Sequence, residues 1–292
     1  MIVSLRRKRR VFNVARHAVL CVWLVIVVFP LYWIVLTSFK GPAEWNVWPP
    51  TYWPENLTLF NYVQVWVNDL ATGTASAGLA GVIGPREALI NTFMIALVAS
   101  TVATVLGTII AYGASRYRIL TDTQLLYFLM LRMVPPFVIA GPILLWFSAI
   151  GLEDSVFGLF LLYSLTTLPY AMLVMKSFID EIPRDVEYAA EMLGARRWQV
   201  IWEIIFPILR PGLAATFMFI FILNWSEYFL ALILSKTDVT TLPVHLNRWA
   251  GNSGANGFQA ALSVGSTLPL IVIGLMIRKH LVRGLSFGFV GR

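Results

Sequence analysis

Residues 187–211 read EYAAEMLGARRWQVIWEIIFPILRP, a long charged interruption in an otherwise oily second half of the chain. Val186, Ala189, Ala190 and Leu193 fall at the i, i+3, i+4, i+7 spacing of one helical face. Gly194 breaks the run, and Trp198, Ile201, Trp202 and Ile205 repeat the spacing beyond it. Pro183 suits a first helical turn, and Asp185 and Glu187 sit where the positive end of a helix dipole favours acids. The stretch predicts two short amphipathic helices with a glycine elbow, over about 183–206, lying between two membrane spans. Such an element is either a membrane-surface helix or a docking surface. Glu187, Glu191 and Glu203 mixed with Arg196 and Arg197 favour a protein partner over a basic lipid-binding face.

Working outward, composition decides the class. The 292 residues are 58% hydrophobic and 13% charged, with mean hydropathy +0.75, against about 25% charge in a soluble domain. That is too little polar surface to cover the chain in water. The expectation is an all-α polytopic membrane protein, a single transmembrane domain over 1–292, with membrane lipid around it. Six apolar segments are long enough to cross, at about 14–38, 87–114, 121–149, 154–178, 207–235 and 258–281. Pro135-Pro136 and Gly141-Pro142 must kink or break the third. The start, MIVSLRRKRR, resembles a signal peptide, but the apolar stretch Ala18–Leu36 is longer than a signal core of about 7–15 residues and no small-residue cleavage site follows. It reads as an uncleaved first span.

Seventeen of the 22 Lys and Arg residues fall on one side of this arrangement, and Lys40, Arg86, Lys236 and Arg248 on the other, with Arg132 inside a span. The asymmetry puts both termini and the 183–206 segment in the cytoplasm, which six spans allow and five or seven do not. The net charge of +7 lies in loops beside apolar spans, so nucleic acid is not the partner. Outside, PAEWNVWPPTYWPENLT (42–58) reads as an interfacial aromatic belt or a contact for an extracytoplasmic partner. ATGTASAGLAGVIG (71–84) reads as a loop, and 236–257 as a mobile connector.

Chemistry of its own is not evident. There is no G-x-x-x-x-G-K-[ST] to cradle nucleotide phosphates, no HExxH, no G-x-S-x-G and a single cysteine, Cys21, so neither catalysis nor a bound metal is expected. Two charges, Arg132 and Glu227, sit inside spans, where each costs about 2.5–3.5 kcal/mol on insertion scales. They are translocation-path candidates by default, with mutual pairing as the alternative. At about 1.5 Å per residue, Arg132 lies roughly 15 Å and Glu227 roughly 24 Å above the cytoplasmic end, which disfavours pairing by depth. Asn224, with Trp225 and Ser226 before Glu227, suits either sugar hydroxyls or interhelical hydrogen bonds. In the second span Ala96, Ala99, Ala103, Gly107 and Ala111 form a small-residue stripe for close helix packing.

At 187–211 the chain resembles the permease subunits of binding-protein-dependent ABC importers, whose signature is E-A-A, three residues, G, nine residues, I-x-L-P. Ala189, Ala190, Gly194, Ile204 and Pro207 match it; Tyr188 replaces the glutamate, Phe206 the leucine, and Leu193 stands where an aspartate often precedes the glycine. RMVPPFVIAGPILLWFSAIGLEDS, LNWSEYFLALILS, TLPVHL and LVRGLSFGFVGR extend the resemblance over nearly the whole chain, towards the carbohydrate branch. The resemblance implies a coupling helix seated in a groove of an ATPase subunit, with Glu187, Tyr188, Ala189, Ala190, Leu193, Gly194, Ala195 and Trp198 as contacts. It also implies a second permease, two ATPase subunits that use ATP and Mg, an extracytoplasmic substrate-binding protein, a bacterial or archaeal inner membrane, and a sugar, oligosaccharide or polyol as cargo. No cofactor is implied for this chain itself. The rival reading is an ion-coupled secondary carrier with Glu227 as its coupling site.

Overall fold

The computed structural model describes residues 2–69, 84–236, 238–250 and 256–287. All but Gly84 of the 71–84 loop, the 251–255 glycine–asparagine stretch and the last five residues lie outside them. Among the described residues every regular element is helical. Among the described residues five helices are long and apolar enough to cross a membrane: Phe12–Ser38, Pro85–Tyr117, Val156–Asp180, Arg197–Trp225 and Asn256–Leu275. A sixth crossing is a bent pair, Asp122–Leu131 and Pro136–Ala149, at 82° to each other. They are called spans 1, 2, 4, 5, 6 and 3 respectively. The chain packs as two units, one formed by 1–70 with 249–265, the other by 71–248 with 266–292.

In the first unit the polar chain beyond span 1 is tied down by buried side chains. Asn61 donates to the carbonyls of Ser38 and Lys40 at 2.9 and 2.8 Å. The Lys40 ammonium donates to Thr51 O at 2.5 Å and lies 4.4 Å over the Trp33 ring. Burial lowers its pKa, against the opposing pull of Glu44. Trp45 of the aromatic stretch packs edge-on to Phe258, whereas Trp48, Tyr52 and Trp53 remain exposed.

The second unit holds spans 2 to 5. Pro85 opens span 2 after an extended Gly84, and left-handed Arg118 closes it. The small-residue stripe packs as expected: Ala96, Ala99, Ala103 and Ala111 are fully buried. A Cβ at Gly107 would stand 2.6 Å from Ala171 Cβ of span 4, so only hydrogen lets the two backbones approach this closely. Thr121 and Gln124 form a reciprocal capping box at the start of span 3. Its lower arm stops at Leu131 because a residue before proline avoids the α region, and the upper arm starts at Pro136. The break falls at Pro135-Pro136, and the upper arm runs on to Ala149 with Pro142 inside it.

Two boundaries differ from expectation. Span 5 runs from 197 to 225 rather than 207 to 235. Its first turn passes through a π-helical stretch, Val200–Ile205, straight into Phe206–Trp225, so there is no separate second amphipathic helix. Pro207 would clash with the carbonyl four residues back in a regular α-helix, and the wider π turn, in which Phe206 N–H bonds Ile201 O, relieves it. After Trp225 the chain breaks at 226–228 and resumes as Phe229–Leu234. The 236–257 connector is the other case, because it contains a helix, Leu242–Ala250. Val239, Leu242, Val244 and His245 are buried there, and Thr92 of span 2 accepts the Leu242 N–H at 2.7 Å. Turn-forming composition was outweighed by this apolar anchoring.

Candidate functional site

The amphipathic helix is Arg184–Met192. Pro183, extended, sets its start, and Asp185 and Glu187 lie in its first turn. It ends in a left-handed glycine, Gly194 at φ +90°, with Ala195 N–H bonded back to Ala190 O at 3.1 Å. A Cβ on Gly194 would meet nothing within 4 Å. Within this chain the glycine is needed for its backbone conformation and not for a close approach.

The apolar faces read from the spacing are not buried faces. Of Val186, Ala189, Ala190 and Leu193, only Ala190 is buried; it packs with Ala111, Met175, Ile179 and Ile205. Leu193 is 89% exposed and its neighbour Met192, which the spacing did not single out, is 88% exposed. Tyr188, Ala189, Gly194 and Trp198 are also exposed, and Ala195 is half-buried. Past the elbow, Val200 and Ile205 are buried while Trp198 and Trp202 are exposed, because the π turn shifts the register. An exposed tip of two large apolar residues on a charged helix is costly in water and asks for a covering surface.

Glu187 is the exception among the candidate contacts. It points inward: Arg116 Nε meets its Oε1 at 2.5 Å and the Tyr112 hydroxyl donates to its Oε2 at 2.9 Å. Arg116 Nη2 also donates to Ile182 O at 2.9 Å, and Arg184 Nη2 to Ser115 O at 2.6 Å. Glu191 and Arg197 pair across the elbow at 3.8 Å, and Arg197 reaches the Tyr117 hydroxyl at 3.3 Å. Arg116 had been legible only as one of the flanking basic residues.

The intramembrane charges do pair, contrary to the depth estimate: Arg132 Nη2 lies 3.5 Å from Glu227 Oε2. Rise per residue runs along a helix axis and equals depth only in an upright, unbroken helix, whereas both residues sit at helix breaks. The second Glu227 oxygen accepts Leu230 N–H at 3.1 Å, and its carbonyl accepts the Tyr163 hydroxyl at 3.2 Å. Arg132 also lines an apolar cavity of about 230 Å³ with Phe128, Pro136, Leu165 and Thr166. Asn224 is turned into the core, where its amide donates to Ser100 Oγ of span 2 at 3.0 Å, which is the interhelical alternative. Among the described residues no group of His, Cys, Asp and Glu could hold a metal.

Comparison with known proteins agrees with this geometry. Residues 103–287 match the model of the binding-protein-dependent transport system inner membrane component family. The chain is 32% identical over 270 residues, 89% of its length and 91% of the relative's, to the trehalose transport system permease protein SugB of Mycobacterium tuberculosis. It is 29% identical over 286 residues, 97% and 98% of the two lengths, to the inner membrane ABC transporter permease protein YcjP of Escherichia coli. Similarity to the trehalose/maltose transport system permease protein MalG of Thermococcus litoralis is 27% over 268 residues, covering 90% and 91%. A solved bacterial ABC transporter involved in import of the acidic polysaccharide alginate superposes with a TM-score of 0.71 at 20% identity, over 94% of this chain and 97% of that one. A multi-span helical body with a broken third span, an exposed amphipathic tip and a family match over well more than half the sequence place this chain in the family of binding-protein-dependent transport system inner membrane components.

Proposed function

We propose that the chain is one of two permease subunits lining the membrane path of an ATP-driven importer, and that its cargo is a sugar, oligosaccharide or polyol. The observation that carries the reading is the nearly bare apolar tip, Met192 and Leu193, on a charged helix fixed at its base to span 2. It has the size and chemistry of a ridge for a protein groove. ATP and Mg belong to two partner ATPase subunits that grip this ridge, since the sequence has no phosphate-binding loop. The contact surface is Tyr188, Ala189, Met192, Leu193, Gly194 and Trp198, with Glu187 and Ala190 holding it from behind. Both termini lie in the cytoplasm, as the Lys/Arg asymmetry favours. An extracytoplasmic binding protein delivers the cargo. The carbohydrate reading draws on the relatives named for trehalose, maltose and sulfoquinovosyl glycerol transport.

The ion-coupled carrier has less to support it, because both carboxylate oxygens of Glu227 are already engaged by Arg132 and Leu230 N–H. The test is uptake into proteoliposomes holding the complete transporter, with trehalose and maltose as probes. ATP inside should drive uptake, and ionophores that collapse ion gradients should leave it unchanged. Uptake that stops with the gradient while ATP is held constant would refute the importer.

A further inference from the structure

Covalent connection ties the amphipathic helix to two spans only. Three residues separate it from span 4, and an elbow joins it to span 5. Span 2 lies 71 residues away in sequence, yet Tyr112, Ser115 and Arg116 at its end make three side-chain bonds to this helix. The Arg116 and Glu187 side chains are 7% and 14% exposed, and both Glu187 oxygens are taken, one by Arg116 and one by Tyr112. Arg116 bonds Ile182 O, and Arg184 returns to Ser115 O. Ser115 in turn bonds Asp180 at the end of span 4, and Lys176 joins Asp180 to Asp122 of span 3 at 2.5 and 3.1 Å.

We propose that the Arg116–Glu187 pair, backed by Tyr112, is the joint that brings span 2 under the control of the docking helix. On this account Arg116 and Glu187 are positioning residues for transport, and Glu187 acts within the chain and not on the ATPase. The inference rests on the importer reading for its biological sense and on the network for its mechanics. A guanidinium held at three nitrogens and a carboxylate held at both oxygens, away from water, leave little freedom for the helix to pivot against span 2. Above the joint, the Gly107–Ala171 contact locks span 2 to span 4, so a displacement of the docking helix moves the two spans as one body.

The experiment uses the complete transporter in nanodiscs, with Cys21→Ser and spin labels at exposed Asp185 on the docking helix and Ile119 beyond span 2. In the parent, trapping with ATP and vanadate should leave the distance distribution between the labels unchanged. In Glu187→Gln and in Arg116→Gln it should broaden and shift on trapping, and the reversed pair Arg116→Glu/Glu187→Arg should narrow it again. ATPase subunits should stay bound, while ATP hydrolysed per trehalose or maltose imported rises at least about fivefold. Variants as rigid as the parent, or variants whose ATPase subunits are lost, would overturn the joint, the latter making Glu187 a docking contact. Label distances do not depend on cargo, so failure of the parent to import sugar would count against the sugar-import reading alone.

Discussion

Gly107→Ala sets two opposing effects against each other at one atom. In a helix interior alanine is better than glycine by about 0.8–1.0 kcal/mol. Against this, the new methyl would stand 2.6 Å from Ala171 Cβ and 3.0 Å from Ala171 C and Met172 N. Carbon atoms rest about 3.5–4.0 Å apart, so the shortfall is about 1 Å. The obstacle is partly backbone, which has no rotamer to retreat into. Relief requires spans 2 and 4 to separate by about 1 Å, a gap that forfeits a quarter to a half of each contact that Ala99, Ala103 and Ala111 make with span 4. Between helices in lipid, packing is a main source of cohesion, so that loss has little to replace it. Because backbone is part of the obstacle, overpacking stands near the upper end of its usual range, about 3 kcal/mol, and the net effect is a destabilisation of about 2 kcal/mol. Gly141→Ala is the control: nothing lies within 4 Å of its added methyl, so only the propensity gain remains. The assay is unfolding in mixed micelles of increasing SDS fraction, followed by tryptophan fluorescence. Parent-like stability for Gly107→Ala, or less stability for Gly141→Ala than for Gly107→Ala, would refute the close-packing argument.

Asp154, at φ 51°, accepts the N–H groups of Lys236, Asp238 and Val239 at 2.9–3.1 Å. Asp154→Ala should destabilise by about 1–3 kcal/mol and speed amide exchange at 236 and 238–239, with Asp154→Asn milder. Beside it, the Lys236 ammonium, followed by Ser148, holds the Glu153 carboxyl below the ordinary glutamate value. A depressed carboxylate stabilises fully above its unfolded pKa and loses that contribution as pH falls through the folded value. Protection of the 236 amide should therefore fall with acidity below the normal glutamate range, and Lys236→Met should weaken that dependence. Leu193→Glu should leave the unfolding midpoint nearly unchanged, because the side chain is 89% exposed, while cutting co-purified ATPase at least about tenfold. Glu227→Gln keeps an acceptor for Leu230 N–H but loses the charge facing Arg132. It should cost about 1–3 kcal/mol of stability, below the 3–5 of a fully buried pair, and slow uptake; normal uptake kinetics would leave Glu227 a packing residue.

Periodic and compositional features were legible where a local rule governs them. The stripe from Ala96 to Ala111 reads directly as a contact face, and Pro135-Pro136 directly as a break. The docking helix was legible as amphipathic, but its faces were misassigned. Spacing assumes that apolar means buried, whereas Leu193 and Met192 stay exposed and Glu187 is drawn inward by Arg116, 71 residues away. No local pattern encodes that pairing. The same limit explains span 5: the π turn before Pro207 moves both the helix start and its register, and a fixed 3.6-residue period cannot anticipate it.

The charge pair in the membrane follows from the breaks themselves. A break in a span frees backbone groups where water is scarce, and each needs a partner. Prolines remove two donors from the break in span 3, where Val138 N–H closes on Pro135 O. The break in span 5 has no prolines, and Glu227 supplies what is missing: one oxygen takes Leu230 N–H, and its carbonyl takes Tyr163. A carboxylate doing this needs a cation, and Arg132, at the end of the lower arm of span 3, is 3.5 Å away. Two helix interruptions are thereby stitched across one ion pair beside an apolar cavity. At 3.5 Å the pair ties the two breaks together, and each side chain keeps about one-fifth of its surface exposed. The interruptions thus account for both charges inside the spans, and the uptake of Glu227→Gln decides whether a solute also meets them.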